Sequence, residues 1–117
     1  MMKLFKVFVF YLCLELFLIG CSTSVQLPEY NSAIEAYNQG KYQTSITLVN
    51  KAIDINNEES EFYVLRARAN YKIGNKNLAM DDLNKSLVIK RSFNALHLRG
   101  KLFLENNELE NAKQDFR

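Results

Sequence analysis

Two dipeptides, Gln39-Gly40 and Ile73-Gly74, stand 34 residues apart, and each closes one amphipathic pattern and opens another. Glycine at such a place suits the left-handed turn that ends a helix. Small residues recur in step with them: Ala33, Ala67 and Gly100 on one segment, Ser45, Ala79 and Ala112 on the next. Such residues let two helices cross closely. The runs Ile46, Val49, Ile53 and Met80, Leu83, Leu87 keep helical spacing and form apolar stripes. Helices are expected near 29–39, 42–55, 60–73, 77–90, 93–106 and 109–117. Past Pro28 there is no proline, and glycine is rare, as helices require. A unit of two short helices cannot bury its own stripe, so it must stack on the next copy.

The period and the residues at fixed offsets resemble the tetratricopeptide repeat. Tyr63, Arg66, Ala67 and Asn70 fall on that family's W-x2-L-G-x2-Y pattern, and Ala79 and Leu83 on its A-x3-F. Leu96, Arg99, Gly100, Phe103, Ala112 and Phe116 repeat this one unit later, after a spacing of 33. The first unit matches less well, through Glu29, Ser32, Ala33, Ala36, Ser45 and Val49. Trp is absent, and no Pro ends a unit. The resemblance implies an all-α antiparallel helix-hairpin solenoid over 29–117, in units of about 26–59, 60–92 and 93–117. That is two full repeats and an incomplete third. Gln114-Asp115-Phe116-Arg117 reads like the middle of a repeat helix. Either that end packs on a partner, or the chain is the N-terminal piece of a longer array.

The N-terminus has a different character. Lys3 and Lys6 precede a mostly apolar run, Leu4 to Ile19, with Glu15 as its one acid. This is a secretory signal pattern, shorter than the ~20 residues that span a bilayer comfortably. Leu18-Ile19-Gly20-Cys21 follows at once and resembles a bacterial lipobox. Cys13 fits worse, because bulky Leu12 precedes it. The resemblance implies removal of the signal peptide 1–20, diacylglycerol and an N-acyl chain on Cys21, and a lipidated tether over 21–28. The rival readings are an uncleaved signal anchor and an ordinary buried helix. Two or more acyl chains anchor a protein stably. By resemblance to Gram-negative lipoproteins, Ser22 in place of Asp favours the outer membrane, facing the periplasm. The inner membrane and a Gram-positive cell surface are the other locations. The mature chain would keep no free thiol and no disulfide.

Charge excludes one class of partner. The whole chain carries +2, and past residue 20 thirteen Lys and Arg face twelve Asp and Glu. Nucleic-acid binding needs a basic stripe that releases counterions, and none is present. There is also no phosphate loop, no metal-ligand spacing and no nucleophile motif. No catalytic residue, metal site or cofactor is expected, apart from the lipid on Cys21. Arg66 and Arg99 each precede an acid, Asp82 or Asp115, by 16 residues. That repetition points to pairing across a hairpin, with a substrate-binding arginine as the alternative.

In the resembling family the first helix of each unit lines a concave groove. Here that face would carry Tyr30, Ile34, Tyr37 and Asn38, then Val64, Arg68, Tyr71 and Lys72, then His97, Lys101, Leu104 and Glu105. Tyr37, Arg68, Tyr71, Lys72, His97 and Lys101 are the candidate binding residues. Tyrosine and arginine are favoured interface anchors, although Tyr37 and Tyr71 could equally serve to pack helices. A basic-aromatic groove suits a peptide with acidic and apolar side chains. The polar clamp of the chaperone-tail-binding subfamily is not met, because Tyr30 and Ile34 occupy its first positions. The expected function is a membrane-anchored protein-binding scaffold in bacterial envelope assembly. A self-associating structural subunit is the alternative.

Overall fold

The computed structural model describes residues 27–117. The signal segment, Cys21 and most of the tether lie outside them. Six helices follow in order: α1 (Pro28–Asn38), α2 (Tyr42–Ile55), α3 (Ser60–Lys72), α4 (Lys76–Ile89), α5 (Phe93–Glu105) and α6 (Leu109–Asp115). No strand occurs among the described residues. The helices form three antiparallel hairpins, α1–α2, α3–α4 and α5–α6, and each hairpin packs on the next. The all-α solenoid is therefore the observed architecture.

The three hairpin turns are built alike. Gly40 at φ 76°, Gly74 at φ 90° and Asn107 at φ 66° each take the left-handed conformation. In each turn the following amide reaches back five residues, as in Lys41 N to Ala36 O at 2.9 Å, Asn75 N to Asn70 O at 2.8 Å and Glu108 N to Phe103 O at 2.8 Å. This closes the helix on its own orphan carbonyls. Asparagine tolerates that region better than most side chains do, which is why the third turn keeps the geometry without glycine. The turns between hairpins are more extended. Only α5 among the described helices has a side-chain cap, the Ser92 hydroxyl accepting from the Ala95 amide at 3.2 Å.

Pro28 opens α1 at a position where its missing amide leaves nothing unpaired. The core divides into two clusters. One gathers Ala33, Val49, Ala52, Phe62 and Leu65 between the first hairpin and α3. The other gathers Val64, Ala67, Ala79, Leu83, Ala95 and Leu102 between the second hairpin and α5. Helix α3 serves both, sending Phe62 and Leu65 one way and Val64 and Ala67 the other. A helix covered on two sides is apolar around much of its surface. That corrects one expectation: Val64 belongs to the core at 1% exposure, not to the groove face.

The small residues sit at the crossings. Ala33, Ala67 and Ala79 are fully buried, and Ala112 nearly so. Ser45 replaces alanine in the first hairpin, and its buried hydroxyl donates to Ala33 O at 2.8 Å. A larger side chain at such a crossing forces two backbones apart. Ala67→Leu is expected to destabilise the fold by about 1–3 kcal/mol through overpacking. Its denaturant midpoint checks this, and an unchanged midpoint contradicts the crossing.

Candidate peptide-binding groove

Repetition sets the site. Positions one period apart on the first helices of the hairpins project in the same direction, so Ile34, Arg68 and Lys101 form one row. Tyr37, Tyr71 and Leu104 form a second, and Tyr30, Val64 and His97 a third. The first two rows open onto a shared depression. A cavity of about 250 Å³ is lined by Tyr37, Arg68, Tyr71, Lys72, Asn94, His97, Leu98 and Lys101. The six candidate binding residues thus come from α1, α3 and α5 and border one space. Asn94 and Leu98 join them; both lie on α5, one helical turn either side of His97 and Lys101, and a period-based search overlooks them.

The charge around this cavity is one-sided. Arg68, Lys72 and Lys101 are lining cations, and no carboxylate is among the lining residues. Arg68 and Lys72 form no ion pair or side-chain hydrogen bond among the described residues, where three ion pairs involve Arg66, Lys76 and Arg99. The Lys101 ammonium lies 5.0 Å from the centre of the Tyr71 ring, a cation–π distance. Exposed cations of this kind keep their hydration and remain available to an incoming anion.

An acid stands at the cavity's edge. The Tyr71 hydroxyl donates to Glu105 Oε1 at 2.6 Å, and Lys76 Nζ lies 2.6 Å from Glu105 Oε2. The Lys76 bond, then the Tyr71 bond, hold the Glu105 carboxyl below the usual carboxylate range. The same bond raises Lys76 above its ordinary value. This contact crosses from the second hairpin to the third and fixes the Tyr71 ring. Tyr71 therefore has a packing role as well as a place in the groove.

The α1 side of the groove is apolar. Tyr30 stacks on Phe62 with ring centres 4.7 Å apart. Burial, then the nearby Glu61, push its hydroxyl pKa up, against the pull of Arg68. Ile34 follows one turn later at 36% exposure. Tyr37 meets Tyr42 edge-on at 5.3 Å. His97 sits at the far boundary. Its ring lies 5.6 Å from that of Phe93 and 5.9 Å from that of Phe116. It lines both the groove and a second depression of about 500 Å³ bordered by Phe93, Leu96 and Phe116.

Behind the groove the predicted Arg–Asp pairs are formed. Arg66 Nε and Nη2 donate to both Asp82 oxygens at 2.8 and 2.7 Å, and Arg99 does the same to Asp115 at 2.7 Å twice. Sequence reasoning missed the third members: Arg66 Nη1 donates to Asn50 Oδ1 at 2.8 Å, and Arg99 Nη1 to Asn84 Oδ1 at 3.0 Å. Each guanidinium so ties its own hairpin to the preceding one. No group of three or more His, Cys, Asp and Glu able to hold a metal ion exists among the described residues. No described helix is long and apolar enough to cross a membrane.

No known sequence family matches the chain, and no curated protein matches it. Solved structures do. The Arabidopsis OM64 TPR domain superposes with a TM-score of 0.73 at 22% identity, covering 76% of this chain and 74% of that one. The first TPR of Spaghetti (RPAP3), bound to the HSP90 peptide SRMEEVD, gives 0.72 at 25% identity, over 75% of this chain and 71% of that one. The Yersinia enterocolitica type III secretion chaperone SycD, in complex with a peptide of the translocator YopD, gives 0.71 at 18% identity over 75% and 68%. With the three matching hairpins, these likenesses establish the fold of residues 27–117 as a TPR helical solenoid.

Proposed function

We propose that this chain is a lipid-anchored scaffold of the bacterial envelope that holds a protein partner by an acidic and apolar peptide segment. The observation that carries the reading is the cavity shared by α1, α3 and α5, with Arg68, Lys72 and Lys101 on its wall and no carboxylate among its lining residues. Tyrosines and cations fixed on rigid helices recognise an extended segment without much reorganisation. That solved TPR domains are recorded with HSP90, HSP70 and translocator peptides supports the use of such a groove for peptides. Catalysis forms no part of this reading. The chaperone-tail specificity is not carried over, because Tyr30 and Ile34 replace the polar groups it needs. Anchoring through Cys21 would confine the groove to a surface and raise its effective concentration toward partners there. Outer-membrane placement rests on Ser22 after the lipobox resemblance.

The test is a crosslinked pull-down from native membranes with the wild type and an Arg68→Glu/Lys72→Glu variant whose helicity is unchanged. A partner held by the wild type and lost by the variant is expected. Equal capture by both would place the interface elsewhere. In the same preparation Cys21→Ala should leave the membrane fraction and lack the mass of the acyl chains. A variant still in the membrane at unchanged mass sinks the anchor. A second reading, self-association, is favoured by Phe93 and Phe116, which are 79% and 48% exposed around His97. Recovery of the chain itself as the main crosslinked species would decide for it.

A further inference from the structure

The groove is unequal along its length. The row Ile34, Arg68, Lys101 takes one residue from each of three successive first helices: apolar, cationic, cationic. Arg68 and Lys101 border the cavity directly. Ile34 lies one turn before Tyr37, which also borders it, and residues three apart share a helix face. A ligand crossing the three helices meets these residues in order.

The helices set the step. α1 touches α3 through the Tyr30–Phe62 stack, and α3 touches α5 through the Tyr71–Glu105 bond. Packed helices lie about 8–10 Å apart. An extended chain advances about 3.3 Å per residue. One helix-to-helix step therefore equals about three residues of an extended ligand.

Volume selects the extended form. One turn of helix, about 10 Å wide and 5.4 Å long, fills roughly 420 Å³. The cavity holds about 250 Å³.

Resting on the peptide-binding reading above, we propose that the groove reads an extended internal segment of the form apolar-x-x-acid-x-x-acid. The apolar side chain sits against Ile34 and Tyr37. The two carboxylates face Arg68, with Lys72 beside it, and Lys101. Nothing in this arrangement calls for a chain terminus: each recognition element faces a side chain three residues from the next. The apolar first position is what sets this row apart from a groove that is cationic throughout.

The test is fluorescence anisotropy of the full chain in mild detergent with synthetic peptides acetylated and amidated at their ends. One peptide carries Leu, Glu and Glu at three-residue spacing in a Ser/Gly background. The controls hold the same residues adjacent, or five apart. The in-register peptide is expected to bind roughly tenfold more tightly than either control, the equivalent of about 1.4 kcal/mol. Ile34→Lys should shift the preference to a peptide with Glu at all three positions. Equal binding by all spacings overturns the register while leaving the groove reading intact. Binding that needs a free C-terminal carboxylate overturns the internal-segment claim. If no acidic peptide binds at any spacing, while helicity is normal, the groove reading fails together with it.

Discussion

Phe62→Ala will lower the unfolding free energy by about 3–5 kcal/mol, the range for deleting a well-packed buried aromatic ring. Phe62 is 1% exposed and among the largest fully buried side chains. It stands on α3 but packs into the cluster of Ala33, Val49, Ala52 and Leu65, most of which belongs to the first hairpin. Tyr30 lies against its ring. The lost ring is therefore the main apolar link between first and second hairpins. Alanines and a valine around it cannot collapse into the space, so the full cavity term applies. A denaturant melt of the full chain in detergent reads the loss. Because the damage falls on one interface, α1 and α2 should lose amide protection before α3 to α6 do. A change under about 1 kcal/mol, or uniform loss of protection, would mean the hairpins are joined by something other than this ring.

How much of this was legible follows from which interactions obey the period. The helix spans were, because Gly40 and Gly74 mark the turns and the small residues keep step with them. Asn107 broke the glycine pattern yet makes the same turn, since the backbone demand is for a left-handed residue and not for glycine alone. The pairs Arg66–Asp82 and Arg99–Asp115 were legible because both partners repeat at one spacing. Val64 was misplaced for a physical reason. A central helix is covered on two sides, so its exposed face is narrower than an isolated amphipathic pattern implies. The Asn50 and Asn84 contacts and the Tyr71–Glu105–Lys76 cluster were invisible. They depend on rotamers meeting across hairpins, and nothing in a linear pattern records that. The six candidate groove residues border one cavity because each was chosen by its place in the period. What that cavity holds is a matter of chemistry, which is where the proposals begin.

Asp82→Ala is expected to destabilise by about 2–3 kcal/mol, more than its exposure on a helix surface would imply. The figure lies below the 3–5 kcal/mol for breaking a fully buried pair, because the Arg66 side chain keeps 26% of its exposure while that of Asp82 keeps 9%. Two charge-assisted bonds in fork geometry go with the carboxylate. Those bonds are also what raise the Arg66 pKa, against burial. Without them the guanidinium is left half-buried over the Tyr63 ring at 5.6 Å, with Asn50 as its remaining polar partner. Most of the loss is thus the desolvation of an unpaired cation, not the worth of the pair itself. The first hairpin shows how to separate the two. One period earlier, Ser32 stands where Arg66 would be and Leu48 where Asp82 would be, so cation and acid are absent together. Arg66→Ser with Asp82→Leu should therefore recover at least about half of the single-variant loss. Thermal or denaturant melts of the two singles and the double complete the cycle. A double variant as unstable as the sum of its singles would show that Arg66 and Asp82 contribute independently, and that the ladder sets no register between hairpins.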